Sequence, residues 1–127
     1  MRLFACQSCE QILFFENTVC EHCKHKLCCL PGLSVLSALE PAGGDLWRPL
    51  EPRIRQAELA YCANHAHDVC NWMTMPNESG HPSFCFACRF NCTIPNPEKP
   101  ENLERWRKLE AAKHRLFYTL LRLNLPY

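Results

Sequence analysis

The sequence has no long run of apolar residues. No stretch approaches the roughly 18 consecutive apolar residues that a membrane-spanning helix needs. The first residues, MRLFACQSCEQ, contain one arginine and a short apolar stretch. They lack the apolar core of about 7–15 residues that is typical of a secretory signal peptide. We therefore expect no membrane association and a cytoplasmic location, where cysteine thiols stay reduced.

An excess of charge of one sign is also missing. Lysine and arginine number 14 and aspartate and glutamate 13, so the formal net charge is +1. Proteins that bind nucleic acid through its phosphates usually carry a clear positive surplus. The overall charge therefore gives little support to nucleic-acid binding.

The motifs of common enzyme classes are absent. The sequence contains no H-E-x-x-H, no glycine-rich phosphate loop and no G-x-S-x-G. Nucleophilic catalysis by cysteine needs a Cys/His pair, for which His25 near Cys28 or Cys29 is the candidate. We do not expect this chain to be an enzyme on its own.

Cysteine, in contrast, is abundant, with eleven in 127 residues. Two C-x-x-C pairs, Cys6/Cys9 and Cys20/Cys23, lie either side of a β-forming stretch, ILFFENTV. A C-x-x-C turn directs two sulfurs at one ion, and two facing turns complete a four-sulfur zinc-ribbon site. We expect the linker to fold as a hairpin that brings the turns together. Glycine often follows the second cysteine of such turns, but Glu10 and Lys24 stand there.

Other chemistries suit this pattern less well. A disulfide framework needs an oxidising compartment, and a thioredoxin-like redox pair needs one C-x-x-C in a βαβ unit. Four thiolates suit zinc or iron, and zinc is the more common occupant. Each zinc with four thiolates carries a charge of about −2, so two such sites would bring the net charge to about −3.

A second cysteine set follows with a less regular spacing. The segments YCANHAHDVCNW and FCFACRF supply Cys62, Cys70, Cys85 and Cys88, which we expect to form a second closed zinc site. Three histidines are rival ligands, and three cysteines remain as free thiols. The rivals are His65, His67 and His81, and the free thiols are Cys28, Cys29 and Cys92.

The chain divides into three predicted regions. Residues 1–30 form the first zinc ribbon, residues 31–92 a β-rich segment with the second site, and residues 93–127 a proline-rich connector and a helix. LSVLSALE and DLWRPL flank PAGG, which predicts a hairpin, and AELAYC is the next candidate strand. The fold class is therefore a small, metal-stabilised α+β protein with zinc-ribbon hairpins followed by a C-terminal amphipathic helix.

The C-terminal helix is the most regular element. Pro100 suits its first turn, and apolar residues at helical spacing predict one buried stripe. The stripe comprises Leu103, Trp106, Leu109, Leu116, Phe117, Leu120, Leu121 and Leu123. The apolar last turns, LFYTLLRLNLPY, indicate docking on a further domain or a protein partner. The alternative is nucleic-acid binding through basic residues with interleaved aromatics: Arg105, Arg107, Lys108, Lys113, Arg115 and Arg122.

Several stretches together resemble a bacterial family of zinc-binding metallopeptidases with an N-terminal zinc-ribbon region. The stretches are LFFENTVCEHC, LSALEP, YCANHAHDVCNW, FCFACRFNCTIP and PENLERWRKLEAAKHRLFYTLLRLNLP. The resemblance implies one metal site at Cys6, Cys9, Cys20 and Cys23 and another at Cys62, Cys70, Cys85 and Cys88. In that family a larger domain with the H-E-x-x-H motif follows, which this sequence does not contain. The resemblance thus implies a two-zinc structural and interaction module without the catalytic domain.

Overall fold

The computed structural model describes residues 2–75 and 83–127. Within them the chain forms short strands, three single turns of 3-10 helix and one long helix. The strands are β1 (Phe4–Ala5), β2 (Ile12–Leu13), β3 (Leu27–Leu30), β4 (Val35–Gly43), β5 (Leu46–Pro49), β6 (Ala60–Tyr61) and β7 (Met73–Thr74), and the helix is α1 (Pro100–Leu123). The 3-10 turns are Pro52–Ile54, Ala63–His67 and Cys88–Phe90. The predicted α+β class is confirmed.

The strands pair into three small antiparallel sheets. The largest has the order β3-β4-β5, and β1-β2 and β6-β7 form the other two. The predicted hairpin is β4–β5, with an irregularity in the register between Pro41 and Gly43. Gly43 and Gly44 both have positive φ, which glycine adopts without steric cost. Leu59 exchanges backbone hydrogen bonds with Trp47, and so the segment leading into β6 extends the edge of this sheet.

The first ribbon is assembled differently from the expected linker hairpin. Among the described residues the linker does not pair with itself, because β2 pairs back onto β1 and Val19 bridges to Lys26. Each C-x-x-C turn therefore sits at the tip of its own short antiparallel loop. The segment between them turns at Phe14–Asn17, where the Asn17 side chain accepts a hydrogen bond from the Phe14 amide. Two separate loops, rather than one hairpin, bring the turns together.

Helix α1 begins at Pro100, as predicted, and its C-cap Asn124 is in the left-handed conformation. The predicted apolar stripe is wrong in part. The residues that α1 buries are Trp106, Glu110, His114, Phe117 and Tyr118, whereas Leu109, Leu116 and Leu123 are exposed. The polar residues Glu110 and His114 lie on the buried face because they face Cys88 and Cys70. A prediction based on hydrophobicity alone could not place them there.

Aromatic contacts join the helix to the first ribbon. Tyr118 packs against Phe15 at a ring separation of 5.0 Å and against Phe4 at 6.3 Å. Arg115 also forms an ion pair with Glu16. The buried apolar residues of the ribbon, the central sheet and α1 form one core. No helix in the described part of the chain has the length and apolar character needed to cross a membrane.

Candidate metal centres

The structure brings Cys6, Cys9, Cys20 and Cys23 together as site 1. Their four Sγ atoms lie within 4.8 Å of one another, with 3.6 Å between Cys6 and Cys23 and between Cys9 and Cys20. The turns have equivalent hydrogen bonds, from the amide of Glu10 to the Cys6 carbonyl and from the amide of Lys24 to the Cys20 carbonyl. A zinc–sulfur bond of about 2.3 Å gives tetrahedral edges of about 3.8 Å. The sulfur separations of site 1 therefore fit one zinc ion.

Site 1 is open to solvent on one side. Cys6 and Cys20 are buried, whereas Cys9 and Cys23 are half-buried. The Nδ1 atom of His25 lies 3.2 Å from the Cys23 sulfur. Hydrogen bonds from the His25 backbone and ring lower the pKa of the Cys23 thiol to about 5, against a smaller opposing effect of burial. Cys23 is therefore prepared to bind a cation as a thiolate.

The structure also brings Cys62, Cys70, Cys85 and Cys88 together as site 2. Their Sγ atoms lie within 4.8 Å of one another, with 3.7 Å between Cys70 and Cys85, and all four side chains are buried. The 3-10 turn Ala63–His67 spans the irregular spacing between Cys62 and Cys70. The amide of Cys62 donates to the carbonyl of Trp72, which aligns the two sides of this loop.

Backbone amides point at three sulfurs of site 2. The amides of Trp72, Cys85 and Cys88 lie 3.4 Å from the sulfurs of Cys70, Cys62 and Cys85 respectively. N–H donors favour the charged thiolate over the neutral thiol. Site 2 is thus a buried pocket built for negatively charged sulfur, which suits a divalent cation.

Helix α1 closes site 2 with two side chains that the sequence analysis did not identify. The His114 Nε2 atom lies 3.6 Å from the Cys70 sulfur, and the Glu110 Oε2 atom lies 3.7 Å from the Cys88 sulfur. Burial opposes the charged form of Glu110, but hydrogen bonds from Lys113, Trp106 and Asn91 outweigh it and lower the pKa of its carboxyl. The signal in the sequence is an acidic residue and a histidine four residues apart on a helix face that is otherwise apolar.

The rival histidine ligands have other partners in the structure. His65 stacks on Tyr61 with 3.7 Å between ring centroids, and its Nδ1 lies 2.9 Å from the Cys70 carbonyl oxygen. His67 packs against Trp106 at 5.4 Å. Neither belongs to a potential metal group among the described residues. His81 lies outside the residues that the structure describes.

The three remaining cysteines lie outside both sites. Cys28 and Cys29 are buried in β3, and burial raises the pKa of both thiols well above the ordinary value. Cys92 is exposed. The candidate pair for nucleophilic catalysis is His25 with Cys28 or Cys29. His25 instead lies 3.2 Å from the sulfur of Cys23, a residue of site 1. Burial raises the pKa of the Cys28 and Cys29 thiols, whereas a nucleophilic cysteine needs a lowered pKa.

Two closed four-cysteine sites define a zinc-ribbon protein, and comparison with known families agrees. A family model described as a zinc-ribbon domain matches residues 3–99, and the chain belongs to this family. The two sites and the family together support two zinc ions. With four thiolates each, these ions have no open coordination position and stabilise the fold.

The similar curated proteins are mycobacterial. The chain is 29% identical over 126 residues to uncharacterized proteins of Mycobacterium bovis and of two strains of Mycobacterium tuberculosis. The match covers 99% of this chain and 32% of each relative, so the chain spans about a third of their length. The search of solved structures gives no significant match. The zinc-ribbon part of the resemblance is confirmed, while the metallopeptidase context stays a prediction.

Proposed function

We propose that this chain is a zinc-folded interaction module that packs against a further protein domain through the outer face of α1. The observation behind the proposal is a row of three exposed leucines on that face. Leu109, Leu116 and Leu123 have 70%, 56% and 63% of their surface exposed. They lie seven residues apart and therefore share one side of the helix.

The row lies beside the buried face of α1, not on it. The buried face packs against site 2 through Glu110 and His114, and Trp106 donates a hydrogen bond to Glu110. Because both zinc ions hold the structure against which α1 packs, they fix the direction in which the leucines point. A seven-residue apolar repeat is typical of a helix surface that packs against another helix.

The partner that we propose is the rest of a longer chain of the same family. The mycobacterial relatives have about two thirds of their length outside the matched region. The resemblance to zinc-binding metallopeptidases suggests that the partner domain carries an H-E-x-x-H site, with this module as its N-terminal zinc-ribbon region. This chain would then contribute packing and orientation, while the chemistry would belong to the other domain.

The first test uses the unmatched two thirds of the Mycobacterium tuberculosis relative, expressed separately and checked for folding by circular dichroism. Isothermal titration calorimetry should detect binding to this chain. Replacing Leu116 and Leu123 together by aspartate should weaken binding at least about tenfold, or about 1.4 kcal/mol. The control Lys108→Asp places a carboxylate on a polar part of the same helix and should have little effect.

A chimera gives a second measurement that does not need a separately folded partner. In it, this chain replaces the matched region of the mycobacterial relative. The double aspartate variant should lower the melting temperature of the chimera but not that of the isolated chain. Equal effects in both proteins, or none in either, would rule out docking through this face.

Nucleic-acid binding has less support from the charges of α1. Four of the six basic residues on the helix pair with carboxylates: Arg107 with Asp68, Lys108 with Glu104, Lys113 with Glu110, and Arg115 with Glu16. Such pairs leave few charges for phosphates. A gel shift that appears at low salt and weakens with rising salt would favour this function over docking.

A further inference from the structure

Site 2 continues on one side into a second group of potential ligands. Cys88, Glu110 and His114 place their ligand atoms within 4.8 Å of one another, and all three side chains are buried. The His114 Nε2 atom lies 3.6 Å from the Glu110 Oε2 atom and 3.6 Å from the Cys70 sulfur. Cys70 and Cys88 therefore form one wall of a small chamber, and Glu110 and His114 form the opposite wall.

The separations in this chamber resemble the edges of a metal tetrahedron. Zinc bonds of about 2.3 Å to sulfur and about 2.0–2.2 Å to nitrogen or oxygen give edges of about 3.3–3.8 Å. The separations of 3.6 Å and 3.7 Å on the Glu110 and His114 side fall in this range. The sulfur separations of Cys6–Cys23, Cys9–Cys20 and Cys70–Cys85 are also 3.6–3.7 Å.

The charge of the region provides an independent reason for a further cation. One zinc ion with four thiolates has a charge of about −2, and the Glu110 carboxylate makes it about −3. Lys113 is the cation paired with Glu110, which leaves about −2 in a buried region. Buried charge without a counterion is costly. One more divalent cation would bring the sum to about zero.

We infer that Cys70, Cys88, Glu110 and His114 bind a second divalent cation next to the zinc of site 2. The thiolates of Cys70 and Cys88 would bridge the two metals, while Cys62 and Cys85 bind the first metal alone. Six side chains would then give four ligands to each of two ions. Zinc fits this donor set because it accepts sulfur, nitrogen and carboxylate oxygen in tetrahedral sites.

The surrounding residues orient the two helical ligands as outer-shell partners do in metal sites. Glu110 Oε1 accepts hydrogen bonds from Trp106 Nε1 at 3.0 Å and from Asn91 Nδ2 at 2.8 Å. Trp72 stacks on the His114 ring with 4.8 Å between centroids. The carboxylate is thus held by one oxygen while Oε2 faces Cys88 and His114.

Lys113 competes for the same carboxylate. Its Nζ atom lies 2.8 Å from Oε2 and 2.9 Å from Oε1 of Glu110. Binding of a cation at Oε2 would leave the ammonium group on Oε1 alone. If instead Lys113 keeps both oxygens, Glu110 and His114 serve only as hydrogen-bonding partners of site 2, and the protein holds two metal ions instead of three.

The test is cadmium-113 NMR of the full chain loaded with cadmium, together with metal analysis of the zinc-loaded protein. We expect about three metal ions per chain and three cadmium resonances, two of them split by coupling through the bridging sulfurs. Two ions per chain would overturn the inference. Three ions without cadmium–cadmium coupling would also overturn it, because the third ion would lie elsewhere.

Substitutions then locate the additional ion. Glu110→Gln should reduce the metal content from about three ions to about two, whereas the control Glu104→Gln, exposed on the same helix, should leave three. A Glu110→Gln protein that is folded by near-ultraviolet circular dichroism and keeps three ions would contradict the assignment. If this variant does not fold, the coupling in the unmodified protein still decides. A negative result for the additional cation would not affect the proposal that Leu109, Leu116 and Leu123 dock on a further domain.

Discussion

At the scale of single residues, the two turns of site 1 place a side chain where glycine is usually found. Glu10 and Lys24 have φ of 64° and 65°, in the left-handed region. Glycine adopts this conformation without steric cost, which explains why it is common at this position of such turns. A residue other than glycine costs about 1–2 kcal/mol in this conformation.

Glu10→Gly should therefore stabilise the zinc-loaded protein. The relieved strain exceeds the added flexibility of the unfolded chain, which costs about 0.5–1 kcal/mol, so we expect a net gain of about 0.5–1 kcal/mol. Urea unfolding at a fixed free zinc concentration measures it. The control Glu21→Gly, at an exposed position in the other turn without positive φ, should destabilise the protein by a similar amount. A loss with both variants would contradict the expected strain at Glu10.

The cysteines outside the two sites should differ in reactivity. Burial raises the pKa of the Cys28 and Cys29 thiols, so both remain protonated and inaccessible at neutral pH, while Cys92 is exposed. Since the thiolate is the reactive form, iodoacetamide should modify about one cysteine in the folded, zinc-loaded protein. Mass spectrometry should locate the label at Cys92, and Cys92→Ser should abolish it. Labelling of Cys28 or Cys29 before unfolding would disprove the assignment.

At the scale of elements, local sequence signals predicted much of the fold. The two C-x-x-C turns, the hairpin around the Gly43–Gly44 pair and the start of α1 at Pro100 all depend on nearby residues. The linker of the first ribbon forms β structure at both of its ends, but Ile12–Leu13 pairs with β1 and Val19 with Lys26 instead of with each other. Pairing between distant strands is set by the whole core and is not visible in a short stretch of sequence.

The candidate sites show the same limit. Spacing indicated which cysteines group together, since a C-x-x-C turn imposes its own geometry. Glu110 and His114 could not be predicted, because their approach to Cys88 and Cys70 depends on how α1 docks. The apolar stripe was misplaced for the same reason: two inward positions of α1 carry polar groups, and Leu109, Leu116 and Leu123 were wrongly expected to be buried.

The corrected orientation of α1 can be tested with adjacent residues. Phe117 is buried and stacks on Phe90 with 5.0 Å between centroids, whereas Leu116 is exposed. Phe117→Ala should cost about 3 kcal/mol of folding free energy because it leaves a cavity. Leu116→Ala should change it by no more than about 0.5 kcal/mol. Urea denaturation at fixed free zinc gives both values. Equal losses of folding free energy would mean that Leu116 is buried as well, which would contradict the orientation of α1 in the structure.

At the scale of the whole molecule, the two sites differ in how solvent reaches them. Site 1 has two half-buried thiols, Cys9 and Cys23, while every thiol of site 2 is buried. Helix α1 covers site 2 through His114 and Glu110. A chelator must approach a metal before the thiolates leave, so exposure of the ligands controls the rate of release. The two sites should therefore lose their metal in sequence.

Zinc release to an excess of chelator should thus be biphasic, with about one ion leaving site 1 at least about tenfold faster than the metal of site 2. Trp72 and Trp106 contact His114 and Glu110, so their fluorescence should change only in the slow phase. Trp47 lines the same surface cavity as Cys23, so it is replaced by phenylalanine in this experiment. Cys23→Ser should remove the fast phase and keep the slow one. Release in a single phase, or a fluorescence change in the fast phase, would contradict this prediction. Either result would mean that site 1 and the docking of α1 on site 2 form one cooperative unit. The contact between Phe15 and Tyr118 would then transmit the loss of one metal to the other site.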